Sequence, residues 1–469
     1  MMLSGSVLIF SKDITNKIYR GGLIMKYIDL INHLESLPKV SDDNLIEHIL
    51  CSDKHCIIHG FAGTGKNTLI KQLAEYLGKK CLKLAPTGNT AYNIDGTTLD
   101  SLLSCYEWSP NSTLNKLELY DFIVLDEVSM THSYKLDAIF SILDCLKKRS
   151  KKIRLILIGD PFQLPPVVTK NMVKAFSERA RKRMSYDDFY FFNSKHFKDN
   201  FNNMECFLLT KNYRQTDIHY HAILKKIAQG IIDQDELEYI NQRFIFYENA
   251  QSLNEYPIIV PTKKGVGVFN NNFLKTCKRI FSSIPVVERK DDGYDDIESG
   301  HESLLEPLNY SIGAPIVFTQ NDLHRRWVNG TKGLICNQNT DSYENTNIEI
   351  KTDGDHYFMC EPTKHKLQRF VFKPETNAIE NVTLAVIRQF PFILGYAITV
   401  HRAQGMTLNS MAFNTGEGLF SPGHLYVALS RVRRLDDLTL HVPLSKKDII
   451  ISHYVKAYFD AFTKRCISI

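Results

Sequence analysis

The chain has 469 residues, 43% of them hydrophobic and 23% charged, which is room for about three domains of roughly 150 residues each and excludes a disordered chain or a single small module. Its 57 Lys and Arg against 52 Asp and Glu leave a net charge of +5. Spread over this length, that excess implies no polyanion partner, so such a partner must show itself in local motifs.

No apolar run reaches the ~18 residues of a membrane span; the longest, residues 390–400, reads as a buried strand, and no membrane partner is expected. The 10 cysteines are scattered without a CxxC pair. This points to free thiols in a reducing compartment, cytoplasm or nucleus according to host, and not to a secreted protein. Cys51, His55, Cys56 and His59 have metal-like side chains, but residues 56–59 read as a buried strand entering a glycine turn.

Residues 1–40 read as an N-terminal leader of little structure and a helix. An apolar run followed by Lys12, Asp13, Lys17 and Arg20 fits neither a signal nor a transit peptide, and Tyr27, Ile28, Leu30, Ile31 and Leu34 recur at helical spacing. From Cys56 to about Leu209, short β-branched runs (CIIHG, CLKLAPT, FIVLDE, IRLILIGD) alternate with helical stretches. That pattern makes 41–210 an α/β domain with a parallel sheet covered on both faces, with a short insertion near 104–119 that carries Trp108 and Pro110. A second run of the same kind starts at Tyr256, breaks, and resumes at Phe392, so 211–332 and 388–445 form a second α/β domain. The interruption, 333–387, shows strand-like pieces and the turn Asp353-Gly354-Asp355, and reads as a small β-rich barrel or hairpin module. Residues 446–469 read as a C-terminal helix, and Asp291, Asp292, Asp295, Asp296, Glu298 and Glu302 as a solvated loop.

The strongest motif is Gly60-Phe61-Ala62-Gly63-Thr64-Gly65-Lys66-Asn67-Thr68, which follows a strand and opens the helical LIKQLAEYL. Glycines let the backbone wrap a triphosphate, amides at the helix start bind its oxygens, and the lysine reaches the β- and γ-phosphates. Asn67 stands where Ser or Thr would place a hydroxyl on Mg²⁺. An amide oxygen can ligate a hard cation, though octahedral geometry is demanding; Thr68, next along the helix, points elsewhere and is not taken as its substitute. The run FIVLDEVSM puts Asp126 and Glu127 at a strand end, Asp126 to hold Mg²⁺ and Glu127 to polarise an attacking water. In GDPFQLPPV, Gln163 is a neutral amide placed to sense a γ-phosphate in a Pro-stiffened turn.

With LAPTGNTAYNIDGTTLDSL (84–102), LTKNYRQTD (209–217), IGAPIVFTQNDLHRRWVNGTKG (312–333), RQFPFILGYAITVHRAQGMTL (388–408) and GHLYVALSRV (423–432) in this order, the chain resembles the Pif-one/RecD branch of superfamily 1 helicases over about residues 56–442. The resemblance implies an α/β fold of two RecA-like parallel-sheet domains, a P-loop NTPase with a small β-rich SH3-like insertion in the second. ATP and Mg²⁺ would lie in the cleft between the domains. It implies that Arg214 and Arg431 are arginine fingers reaching from the second domain, and that Gly405 joins the nucleotide site. Pro86, Thr87 and Thr98, with Thr399, His401 and Gln404, would serve the single-strand groove and its coupling to ATP.

The same resemblance implies a monomeric, ATP-hydrolysing motor that moves 5′-to-3′ on single-stranded DNA. It would unwind duplex or forked DNA in replication, recombination or repair, beside proteins of those processes, with a strand-separating wedge near 104–119. Two departures stand out. Asp100 follows Thr98 where the family often has His, which puts one DNA contact in question, and SDDNLIEHIL offers Asn44 but no adenine-clamping Gln. Asn67 leaves room for a hydrolysis-impaired, nucleotide-dependent DNA clamp, and a phosphate-tracking groove leaves room for an RNA-directed translocase. The basic clusters at 147–154 and 179–183, and the run Phe189, Tyr190, Phe191 and Phe192, could meet nucleic acid. A solvated helix-strand connection for the first cluster and core packing for the aromatics are the simpler readings.

Overall fold

The computed structural model describes residues 6–9, 39–245, 257–289, 305–322, 324, 326–340, 346–352 and 355–465. The helical pattern after Met25, the acidic stretch 291–302 and the first two residues of the 353–355 turn lie outside the described residues.

Strands β1 (Ser6–Ile9), β2 (Lys39–Ser41), β3 (Cys56–Gly60), β4 (Cys81–Ala85), β5 (Thr97–Thr98), β6 (Phe122–Leu125), β7 (Arg154–Gly159) and β8 (Glu205–Leu209) form one sheet in the order 2-1-8-3-7-6-4-5. The strands from β8 to β5 are parallel. All residues of β3 and β7 are buried, as apolar runs covered by helices on both faces must be. β1 and β2 extend the β8 edge antiparallel, so the N-terminal stretch read as a leader of little structure lends a strand to the sheet.

After β9 (Ile258–Val260) the chain makes an antiparallel excursion through β10 (Phe281–Ser283), β11 (Val286–Arg289), β12 (Leu308–Tyr310), β13 (Pro315–Phe318), β14 (Lys332–Thr340), β15 (Thr346–Thr352), β16 (His356–Cys360), β17 (Thr363–Lys373), β18 (Ala378–Gln389) and β19 (Phe392–Leu394). It returns as β20 (Ala397–Thr399), β21 (Met411–Phe413) and β22 (Leu438–Leu440), which join β9 in a parallel sheet of order 20-9-21-22. The two α/β units are therefore RecA-like. The β-rich strands start at Phe281, upstream of 333, because β11 pairs with β18 and β13 bridges β14 and β19. Their core stacks Trp327 between Phe318 and Phe358, at 4.4 and 4.8 Å. The long β17–β18 hairpin packs on the first unit's helix Lys170–Ala180, Phe370 meeting Phe176 edge-on at 6.5 Å.

The C-terminal helix, His453–Arg465, leaves the second unit and docks on the first. Tyr458 stacks on Phe192 at 4.6 Å, Phe459 meets Phe162 at 4.8 Å, and Phe462 lies 4.6 Å from the His59 ring. Phe189, Tyr190, Phe191 and Phe192 are all buried, in and between two short 3₁₀ turns. They belong to this core and are closed to nucleotide bases. In the first basic cluster, Lys151 pairs with Asp121, Arg149 with Glu118, and Arg154 is buried against the carbonyls of Lys54 and Ile49. In the second, Arg179, Arg181, Lys182 and Arg183 are exposed. Among the described residues the cysteines are free, no His, Cys, Asp and Glu gather as a metal cluster, and no helix is long and apolar enough to cross a membrane.

Candidate functional site

Because β3, β6 and β7 are parallel neighbours, the turns at their carboxyl ends converge, as ligand sites in such sheets do. The turn after β3 holds Gly63 and Gly65 at φ 84° and 81°, a left-handed backbone that glycine adopts without steric cost. The helix Lys66–Leu77 then starts at Lys66, whose buried ammonium donates to the carbonyls of Gly60 (2.8 Å) and Phe61 (3.1 Å). Burial pushes the pKa of Lys66 down, opposed by the charges of Asp160, Glu127 and Asp126. A cleft of about 320 Å³ opens here between the two units. Ala62, Gly63, Thr64, Gly65, Lys66, Asn67, Thr68, Glu127, Gln163, Arg214, Gly405 and Arg431 all line it. Two expected members do not. Gly60 ends β3 behind the turn, where a Cβ would strike Thr64, and Asp126 is 1% exposed beneath the cleft wall.

Asp126 accepts the Glu127 amide at 2.8 Å through Oδ1, while its Oδ2 and the Oε2 of Glu127 are buried with no hydrogen-bond partner among the described residues. Burial first, and then the charge of Glu127, push the Asp126 carboxyl up to about 7. Glu127 itself sits at φ 47°, a strained backbone for a non-glycine residue of the kind found at functional sites. Buried carboxylate oxygens without partners are costly. Two of them on adjacent residues, one lining the cleft as the exposed Asn67 also does, suit a hard cation.

The second unit closes the cleft with the helix His424–Leu429 and the residues after it. Arg431, 1% exposed, folds back on that helix: its Nε donates to Val427 O at 2.7 Å and its Nη2 to Ser430 Oγ at 2.7 Å. Burial, and next the charge of Arg214, push its pKa down to about 9. Arg214 does not reach in from the second sheet. It lies in the segment that leaves β8, and this segment packs on the phosphate turn through Tyr213 N–H to Gly63 O (2.7 Å) and Asn212 Nδ2 to Ala62 O (2.8 Å). Its Nη1 then donates to Ser430 O at 3.3 Å.

Thr87, Thr98 and Thr399 each cap a helix start, accepting the amides of Thr90, Ser101 and Arg402. Thr87, after Pro86, follows β4, Thr98 ends the neighbouring β5, and Thr399 ends β20. His401 is half-buried, its ring 5.3 Å from His424. Gln404 is buried and donates to Gln163 Oε1 at 3.2 Å, a link from the second unit to a residue that lines the cleft. Asp100, in the family's His position, is paired with Lys135.

Sequence reasoning missed Tyr213, Asn93, Thr407 and Arg433, which also line the cleft, and Tyr426, which is buried behind it. Tyr213 lies over Gly65, its ring carbons 3.3–3.4 Å from where a Cβ would stand. Tyr213 and Arg433 sit one and two residues from the expected arginines, which was the available signal. Tyr426 accepts the Ala62 amide at 2.6 Å and donates to Asp160 Oδ2 at 2.7 Å.

A family model described as an AAA domain matches residues 41–245. The chain is similar to the ATP-dependent DNA helicase Pif1 of Campylobacter jejuni, 27% identical over 424 residues that cover 84% of this chain and 90% of that protein. It is also similar to the ATP-dependent DNA helicase Pif1 of Bdellovibrio bacteriovorus, 25% identical over 434 residues that cover 88% and 90%. Among solved structures, Pif1 helicase from Bacteroides in complex with ADP-AlF3 and ssDNA superposes with a TM-score of 0.73 at 28% identity, covering 90% of this chain and 97% of that one. With the phosphate turn, Glu127 and two arginines lining one cleft between two RecA-like units, the chain is similar in sequence and in fold to the Pif1-like helicases of superfamily 1.

Proposed function

We propose that the chain is an ATP-hydrolysing DNA helicase that moves on single-stranded DNA, 5′-to-3′, and opens duplex or forked DNA. The carrying observation is that Lys66, Glu127, Gln163, Arg214 and Arg431 line one cleft to which both units contribute. Binding of a triphosphate draws Lys66 from its carbonyl partners to the phosphates, and the two guanidiniums stabilise charge that grows in phosphoryl transfer. Glu127, with a carboxylate oxygen that has no partner among the described residues, orients the attacking water and takes its proton. Mg²⁺, held by Asp126 and the Asn67 amide, would supply neutralisation of the phosphate oxygens. Tyr213 gives the nucleotide an aromatic platform in place of the missing adenine-clamping Gln.

Opening one base-pair step costs about 1.4 kcal/mol in stacking, and gripping a freed base by stacking returns about 1–3 kcal/mol. Binding alone therefore melts DNA only stoichiometrically, and repeated unwinding needs a cycle of closure and reopening that alternates the grip of the two units. The capping threonines Thr87, Thr98 and Thr399 offer helix-start amides to phosphates. The helices Leu99–Trp108 and Pro110–Leu117, with Trp108 89% exposed at their junction, make the strand-separating wedge. A single chain supplies both arginines, so a monomer suffices, working beside replication or recombination proteins in a reducing compartment, cytoplasm or nucleus.

Asn67 favours one rival, a hydrolysis-impaired DNA clamp. Steady-state ATP hydrolysis with Mg²⁺, with and without oligo-dT or the matching RNA, separates the readings for the natural protein, Lys66→Ala and Asn67→Ser. Strong stimulation by DNA that Lys66→Ala abolishes is the expected result. An inactive natural protein restored by Asn67→Ser would favour the clamp, and equal stimulation by RNA would favour an RNA-directed translocase.

A further inference from the structure

We propose that Tyr426 is a positioning residue that ties the phosphate turn to the arginine at position 431, so that the state of the turn sets where that guanidinium stands. The proposal rests on the nucleotide-site reading given above. Tyr426 comes from the second unit, is 2% exposed, and makes both hydrogen bonds of its hydroxyl to the first unit. The oxygen accepts the amide of Ala62, inside the phosphate turn, at 2.6 Å, and the proton goes to Asp160 Oδ2 at 2.7 Å. Asp160 also accepts Phe162 N–H at 3.1 Å and the Gln163 amide at 3.4 Å, so one carboxylate gathers the phenol and the turn that carries Gln163.

The other end of the strut is as firmly fixed. Tyr426 lies on the helix His424–Leu429, and the Nε of Arg431 is bonded to Val427 O of that same helix at 2.7 Å. Tyr220 donates to Leu429 O at 2.8 Å, and Arg214 and Gln215 donate to Ser430 O at 3.3 and 3.4 Å. The start of the helix abuts the Gln163 turn so closely that a Cβ on Gly423 would lie 2.7 Å from Phe162 O and 2.8 Å from Gln163 O. A displacement of Ala62 on nucleotide binding is thus carried through one phenol to a short rigid helix and its arginine. A buried hydroxyl bonded to a carboxylate is stronger than a neutral pair, and its loss leaves both partners unsatisfied.

The test uses the full chain and Tyr426→Phe, which keeps the ring and removes the bonds, with Asp160→Asn as a second variant that keeps a partner for the phenol but removes its charge. Hydrogen exchange is followed with and without ADP and aluminium fluoride, and ATP hydrolysis with and without oligo-dT. In the wild type the ligand should protect both residues 61–66 and 424–431. In Tyr426→Phe protection at 61–66 should persist and that at 424–431 should be lost, with kcat down about ten-fold at a KM for ATP little changed, on the scale of ordinary coupling between sites. Asp160→Asn should shift the same quantities by less. Full protection of both segments in Tyr426→Phe overturns the proposal, as does equal loss at both, which would mark a structural role only. A wild type that DNA does not stimulate overturns the helicase reading instead, and the exchange experiment still decides the role of Tyr426.

Discussion

Asp126 meets two opposed demands, since the proposed Mg²⁺-holding role asks for an ionised carboxylate and its burial favours the protonated acid. The ordinary value for the group is 3.8, and here it is pushed up to about 7. Between those values the folded protein holds a proton that the unfolded chain has released. The contribution of this carboxyl to stability is therefore fully present below about pH 4, falls as pH rises, and is gone above about pH 7. An amide in its place keeps an acceptor for the Glu127 N–H and does not ionise. Asp126→Asn should thus melt higher than the wild type in the nucleotide-free state, with a small gain at pH 4 and a larger one at pH 8, while hydrolysis falls by about 100-fold or more. Thermal melts at the two pH values check the sign, and an equal gain at both would contradict the assignment of the shift to this group.

At the level of whole elements, each of three threonines caps its own helix, and the proposed function gives each a second task in the groove. Thr98 accepts Ser101 N–H at 3.2 Å as the cap of Leu99–Trp108, the helix that ends at the exposed Trp108. Removing a capping oxygen costs about 1 kcal/mol, and it also loosens the amides that would meet a phosphate. Thr98→Val should therefore lower stability by about that amount and weaken oligo-dT binding several-fold at fixed salt, whereas Thr98→Ser should restore both. Fluorescence anisotropy and melts on the pair decide it; a valine variant that binds normally would take Thr98 out of the groove. The strands that place these caps were legible in the sequence because parallel strands buried on both faces are written as continuous apolar runs, as in residues 56–58 and 155–158. The short strands of the β-rich unit were not, since three- or four-residue strands such as β10 and β13 are defined by partners such as Tyr310 and Leu394. The same holds within the site. The glycine turn and the paired acids are local in sequence, but Tyr426 finds Asp160 266 positions away and Gln404 finds Gln163 241 positions away, and no spacing rule reaches that far.

Across the whole molecule, the two RecA-like units share one apolar core, which runs from Ile57 and Leu157 in the first sheet to Leu438 in the second and Val427 beside it. The C-terminal helix is part of that continuity. Phe459 meets Phe162 at 4.8 Å and Phe61 at 6.0 Å, and those two rings stack on each other at 5.7 Å with 3° between their planes. Phe61 precedes Ala62 in the phosphate turn and Phe162 precedes Gln163, so one side chain from the end of the chain braces both turns from behind. Truncating a buried phenylalanine costs about 3–5 kcal/mol through lost burial and the cavity left, so Phe459→Ala should melt well below the wild type. The sharper expectation concerns ligand. Binding to the folded state alone raises stability by RT ln(1 + [L]/Kd), and a phosphate turn that has lost its brace binds nucleotide more weakly. The rise in melting temperature on adding ADP should therefore be smaller in Phe459→Ala than in the wild type at the same ADP concentration. If the ADP-induced rise is the same in both proteins, the helix holds the units together without supporting the nucleotide site.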